Sequence, residues 1–431
     1  MHKRVYKAFN ETLYTQTLAN GLQVNLLPKR GFHKTYAIFS TNFGSIDRTF
    51  IPQNETTAVT QPAGIAHFLE HKMFDKKGYD AFDLFGKYGA DSNAFTSFTK
   101  TSYLFSATQN VRKNLEILLN FVQEPYFTDD SVAKEKGIIG QEIQMYDDDA
   151  DWQLYMGILN NLYPNHPAHV DIAGTTDSID KITTHDLYLA YKTFYHPVNM
   201  DLFVVGNIDP EEILKWVQEN QASKNFKPFK EPQVDNQDIK PKEIVKHRVI
   251  SLPINRTKCI VGLKGLDDIP AGREGLAYQL QANLMFYLLF GESSEQYLKL
   301  YDQGIVDDTF SYEFDVQRSF HYASFSGDTD QPEAFQTQIK EILGQAEQRL
   351  SHLTNQFELA KKEMLGRLLQ RMDSLEAIAN SYDGQMFDQA TIFDQAEIYE
   401  KMTLDDLIRL APKLINLEGL STFEIRPVKG K

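Results

Sequence analysis

The sequence predicts a duplicated α/β fold, two related domains in one chain, and three observations carry the prediction. Strand-like and helix-like stretches alternate in both halves. Residues 221–241, rich in Lys, Asn, Gln and Pro and poor in periodicity, read as a linker between a first domain at 1–220 and a second at 242–431. Short patterns also return about 220 residues on: Thr183-x-x-Asp186-Leu187 as Thr403-x-x-Asp406-Leu407, Phe203 as Phe423, and Thr35 as Thr257.

In order, Leu22–Leu27 alternates after the Asn20-Gly21 turn signal and reads as a strand, as does the stretch from Thr35 to Asn42. Ile51–Pro62 is polar and reads as a loop. Gly64 opens a helix, and Ala81–Tyr88 forms another that Gly89 ends. Asp91–Ser106 is rich in Thr, Ser and aromatics and has no Pro or Gly, which predicts two strands with a bend between them. Val111–Val122 is helical. Thr128-Asp129-Asp130-Ser131 supplies capping residues for a helix that runs to about Tyr146. The acidic run Asp147–Asp151 reads as a solvated loop, and His166 and His169 as loop residues without metal spacing. Thr183 begins a helix and Leu202–Gly206 is a buried strand. Beyond the linker come a strand at Arg256–Leu263, helices at Gly275–Phe290, Gln336–Met372 and Met402–Leu414, and a final strand.

The size and composition narrow the function. A chain of 431 residues, 42% hydrophobic and 24% charged, exceeds one ordinary core. A net charge of −15 argues against nucleic acid as a partner. The one cysteine, Cys259, rules out an intrachain disulfide and fits a reducing compartment. No apolar leader follows Met1 and no run is long enough to span a membrane, so a cytoplasmic location is expected.

The chemistry concentrates at Ala66-His67-Phe68-Leu69-Glu70-His71. Residues i and i+4 share a helix face about 6 Å apart, so both imidazoles can reach one metal ion. Glu70 shares the face and stands beside the position a water takes at the metal. This is the His-x-x-Glu-His order of an inverted zincin. Taken alone, the pattern also fits the polar face of a helix whose histidines bond to neighbours, the less favoured of the two readings. A third ligand must come from elsewhere. Glu135 and Glu142 are seven apart, hence within roughly 20° of one another on their helix. Glu142 follows the apolar Gly137-Ile138-Ile139-Gly140, and a half-buried carboxylate there needs a partner that a zinc ion would provide. Glu142 is the candidate third ligand, with Glu135 orienting a ligand or the water. Two ordinary surface charges are the plainer alternative.

These residues resemble the inverted-zincin metallopeptidases of the pitrilysin, insulysin and mitochondrial processing peptidase family, over nearly the whole chain. Phe74, Gly137–Ile143 and Met145–Asp148 look most like its bacterial YmfH-type branch. His166-Pro167, Ile172–Thr175 and Tyr195–Met200 also fit the family pattern. The resemblance implies mainly antiparallel sheets packed with helices, the two domains forming half of a clamshell chamber. It implies one zinc on His67, His71 and Glu142, with Glu70 as general base and Glu135 as the accompanying catalytic-site carboxylate. It further implies a substrate-binding edge strand at Asn93, Ala94, Phe95 and Thr96. One departure stands out. Family sites carry an Arg and a Tyr seven later, and the corresponding stretch Tyr297–Asp308 contains no Arg. The expectation is a zinc endopeptidase acting on peptides or short unfolded segments. It would work in a heterodimer with a zinc-free paralogue that supplies the pair, or failing that as a homodimer. A non-catalytic scaffold subunit is the competing reading, which the intact His67, Glu70, His71 and Glu142 set opposes.

Overall fold

The computed structural model describes residues 1–234, 243–382, 386–387 and 390–428. It is a mixed α/β structure of two compact units, each a mainly antiparallel sheet packed with helices. Unit 1 comprises Met1–Ile143, Val170–Asn236 and Arg371–Tyr382; unit 2 comprises Gln144–His169, Gln237–Gln370 and Asp383–Lys431. Residues 235–241 of the expected linker lie outside the described residues.

Unit 1 is built on seven strands: β1 (His2–Tyr6), β2 (Glu11–Thr17), β3 (Gln23–Pro28), β4 (Thr35–Thr41), β9 (Ala90–Thr96), β10 (Thr101–Ala107) and β11 (Met200–Gly206). Between β4 and β9 lie the short pieces β5 (Thr49–Ile51), β6 (Val59–Thr60), β7 (Asp75–Lys76) and β8 (Tyr79–Asp80). The polar stretch expected as a loop at Ile51–Pro62 begins on the last residue of β5 and contains the two-residue β6. The sheet order is β1-β2-β3-β11-β4-β10-β9, with β3 and β11 parallel and every other pair antiparallel. Strand β9 therefore closes one side of the sheet, with only β10 beside it.

The helices of unit 1 include α1 (Ile65–Phe74), α2 (Ala81–Lys87), α3 (Val111–Gln123) and most of α4 (Asp129–Asp148). Ile65, Ala66, Phe68, Leu69, Met73 and Phe74 of α1 are buried. The start of α1 is fixed by backbone contact. Gly64 has φ 86°, and a Cβ there would lie 2.4 Å from the Ala173 carbonyl oxygen. Ser178 Oγ donates to the Ala63 carbonyl at 2.9 Å, so Ile172–Thr175 and the turn after it seat this helix end. The carbonyl end of α3 takes two lysines: Lys76 Nζ donates to Phe121 O and Glu124 O, and Lys224 Nζ to Leu119 O. Cations at a helix C-terminus complement its dipole.

Unit 2 has five strands after the short β12 (Gln233–Val234): β13 (His247–Leu252), β14 (Lys258–Lys264), β15 (Ser311–Val316), β16 (His321–Asp328) and β17 (Leu420–Pro427). Their order, β13-β17-β14-β16-β15, repeats β3-β11-β4-β10-β9, again with only the first pair parallel. The register repeats too. Phe203 faces Asn25 and Ile38, and Phe423 faces Arg248 and Ile260. The helices beginning after Thr183 and Thr403 carry identical capping boxes, with Asp186 and Asp406 accepting from the Thr backbone. These repeats make the duplication a property of the folded chain.

Two segments belong to the unit opposite their place in the chain. Helix α5 (Ala150–Leu162), which the sequence reading left unassigned, packs on β14 and β17 of unit 2. Gly157 permits this, since a Cβ there would meet the Phe423 ring at 2.4 Å. The helix Leu375–Ser381 packs on β4 and β11 of unit 1, where Tyr382 stacks on Phe203. A single cut at 221–241 assigns both segments the other way. The acidic run is no loop: Asp147 and Asp148 end α4, and Asp149 caps α5 by accepting from the Asp151 and Trp152 N–H groups. The helical stretch expected at Gln336–Met372 is three helices, Pro332–Gly344, Ala346–Leu350 and Thr354–Arg371.

Candidate metal centre

Helix α1 presents its polar residues on a body that is otherwise apolar, so each must find a partner. His67 and His71, one turn apart, bring their rings to 4.5 Å between centroids. Helix α4 crosses to them with Glu142. Its Oε1 stands 3.6 Å from His67 Nε2 and its Oε2 3.6 Å from His71 Nε2. One donor atom from each residue falls within 4.8 Å of the other two, the one such group of three among the described residues. Four-coordinate zinc with bonds of ~2.0–2.1 Å separates neighbouring donors by ~3.3–3.4 Å. Small side-chain adjustments would therefore close these donors around an ion, so the residues fit the metal.

Glu135, two helical turns before Glu142, takes the other side of His71, with Oε1 3.2 Å from Nδ1. It thereby orients the ring and leaves Nε2 toward Glu142. Lys72 is a residue the sequence reading passed over. Its ammonium is fully buried, 2.6 Å from Asp75 Oδ2 and 3.6 Å from Glu135 Oε2. Its position four residues after Phe68, on the same helix face, is the available signal. Glu70 is 8% exposed and accepts from Thr96 Oγ1 at 2.5 Å.

The electrostatics follow from burial. Burial, helped by His71, holds the His67 imidazole down at about 3, so it is neutral and available as a ligand. Burial also lifts the Glu70 carboxyl to about 7, against the Thr96 hydrogen bond. His71 goes the other way: burial would lower it, but the Glu135 hydrogen bond and the nearby carboxylates outweigh burial and raise it. Glu135 is held low, since His71 and Lys72 overcome its burial. Among the side chains of this cluster, the buried His67 Nδ1 has no hydrogen-bond partner.

The strand expected to receive substrate lies alongside. Asn93, Ala94, Phe95 and Thr96 all fall on β9, the strand at the open side of the sheet. The Ala94 N–H donates to the Asn93 side chain at 2.8 Å. His166 and His169 stand apart from the cluster; His166 is buried in unit 2 and its Nδ1 accepts from the Ala168 N–H.

Unit 2 shows what the same location becomes without the motif. Tyr287 and Gly291 stand 220 residues beyond His67 and His71, and Glu363 stands 221 beyond Glu142. Tyr287 donates its hydroxyl proton to Glu363, and Arg367 binds the same carboxylate at 2.7 Å while its guanidinium lies over the Tyr287 ring. An arginine thus neutralises the acid that in unit 1 faces two histidines.

Comparison with known proteins agrees with this geometry. A family model described as insulinase (peptidase family M16) matches residues 57–176, and one described as the peptidase M16 inactive domain matches residues 181–363. A Bacillus subtilis protein named uncharacterized zinc protease YmfH is 45% identical over 424 residues, covering 98% of either chain. The chain belongs to peptidase family M16. A crystal structure from Alicyclobacillus acidocaldarius described as M16-like has a TM-score of 0.92 at 33% identity and covers 97% of this chain and 99% of its own. A Helicobacter pylori protease structure, 21% identical, shares the fold with a TM-score of 0.79 over 96% of this chain. The M16 chain is thus a member of a zinc protease family. Among its described residues, no helix is long and apolar enough to cross a membrane.

Proposed function

We propose that this M16 chain is a zinc-dependent endopeptidase for peptides or short unfolded segments. His67, His71 and Glu142 would hold one zinc, and Glu70 would act as general base. The carrying observation is that three donor atoms lie within 4.8 Å while a buried carboxylate, Glu70, stands on the same helix face. Zinc there supplies Lewis-acid polarisation of the scissile carbonyl and a lowered pKa for water. Glu70 takes the proton of the attacking water and delivers it to the leaving amine. Glu135 keeps His71 oriented, and Lys72 keeps Glu135 charged. A substrate strand pairs with β9 at Asn93–Thr96, which gives backbone affinity with little demand on side-chain sequence.

The absence of an Arg from Tyr297–Asp308 supports assembly with a zinc-free paralogue that carries the Arg and Tyr, with a homodimer as the alternative. The two domains would then form half of a closed chamber, which excludes water and strengthens the electrostatic interactions within it. The reading is tested by metal analysis and by hydrolysis of a mixed peptide library, with the chain alone and with the paralogue. The expected result is one zinc per chain, and a loss of at least ~100-fold in turnover for Glu70→Gln with zinc retained. Near-normal turnover in that variant overturns the mechanism.

A further inference from the structure

Glu70 has one strong tether, and it comes from the strand proposed to receive substrate. Thr96 ends β9, directly opposite Thr101 of β10. Its Oγ1 lies 2.5 Å from Glu70 Oε2 and 3.3 Å from Thr101 Oγ1. A hydroxyl has one proton to donate. The Thr101 proton is committed to the Phe43 carbonyl oxygen at 2.8 Å. The Thr96 proton goes to the nearer and charged acceptor, because hydrogen bonds to carboxylates are shorter and stronger than those to neutral oxygens. Thr101 is fully buried, so its hydroxyl has no solvent to turn toward. Each hydroxyl proton thus goes to an acceptor other than the neighbouring threonine: Thr101 donates to the backbone, and Thr96 donates to Glu70, its nearer acceptor.

We propose that Thr96 is a positioning residue for Glu70: its hydroxyl pins Oε2 and leaves Oε1 as the oxygen that takes the proton. The inference rests on the peptidase reading and deepens it, since it ties the orientation of the base to the strand on which peptide is expected to pair. A glutamate side chain has three rotatable bonds. Without the tether the carboxylate samples orientations that turn Oε1 away from the reacting water. Geometry errors near 1 Å at a reacting group cost on the order of 100-fold in rate.

The alternative is that the hydroxyl merely satisfies a buried carboxylate and contributes only to stability. The two are separated by Thr96→Val, which keeps the shape and removes the donor, and Thr96→Ser, which keeps the donor. Both are compared with wild type and Glu70→Gln, with zinc content, thermal midpoint, kcat and KM measured for each, under the conditions in which wild type turns over. If Thr96→Val does not fold, Thr96→Ala makes the same comparison. The expected result is a fall in kcat of ~10- to 100-fold for Thr96→Val, the scale of a lost hydrogen bond to a charged group. KM and zinc content should stay near wild type, and Thr96→Ser should recover kcat to within ~3-fold. A lowered thermal midpoint with unchanged kcat overturns the inference and leaves the peptidase reading standing. Unchanged turnover in Glu70→Gln, or no zinc-dependent turnover in wild type, overturns both.

Discussion

Replacing Glu142 by Gln tests the metal centre most directly, because the change is isosteric and removes the one negative charge among the three candidate ligands. The two oxygens of Glu142 stand 3.6 Å from His67 Nε2 and His71 Nε2, against the ~3.3–3.4 Å of adjacent donors on tetrahedral zinc. One donor atom from each of the three residues already lies within 4.8 Å of the others, so side-chain rotation alone can bring the carboxylate to a ligating position. Gln retains a carbonyl oxygen but no charge. Zinc affinity should fall at least ~100-fold, near 3 kcal/mol at 1.4 kcal/mol per decade. Glu135→Gln sets the scale for an orienting residue. Its amide can still accept from His71 Nδ1–H, so its loss should stay within the ~10- to 100-fold range of groups that orient a ligand. The assay is competition for zinc with a chromophoric chelator, with circular dichroism to verify folding. Wild-type affinity in Glu142→Gln, or a larger loss in Glu135→Gln than in Glu142→Gln, would refute the assignment of roles.

Two further outcomes are expected. Burial holds the Lys76 amine down at about 8, against the attraction of Glu124 and Asp75. Between pH 8 and the unfolded value of ~10.4 the unfolded chain binds more protons, so stability rises with pH, and Lys76 contributes up to ~3 kcal/mol of that rise. The advantage of wild type over Lys76→Met in urea midpoint should therefore grow from pH 7.5 to 10; a constant offset would show that the amine is not depressed. For the assembly, adding a zinc-free paralogue should raise peptide turnover and form a complex burying ~1,600 Å² or more in total. Full activity of the chain alone, unchanged by the partner, would show that the missing Arg and Tyr are not needed.

The sequence by itself determined what local geometry determines. His67 and His71 share a helix face because they are four apart, and Glu135 and Glu142 share another because they are seven apart. The strand composition of Asp91–Ser106, the capping residues at Thr128–Ser131 and the 220-residue repeat were likewise legible, since each needs only neighbours along the chain or a copy elsewhere in it. Tertiary structure alone decided the rest. Helix α5 is not legible locally because its burial is set by β14 and β17, strands about a hundred and more than 250 residues away. Lys72 reads as a surface residue by type, yet it is buried because α1 packs against α3, β9 and β10, and Asp75 and Glu135 meet its charge. Thr96 reads as one hydroxyl in a strand rich in them. Only the packing of α1 against β9 brings it to Glu70, and the carboxylate, nearer than Thr101 Oγ1, fixes which way its proton points. Periodicity fixes which residues share a face; which partner that face meets depends on contacts distant in sequence, and those form only when the chain folds.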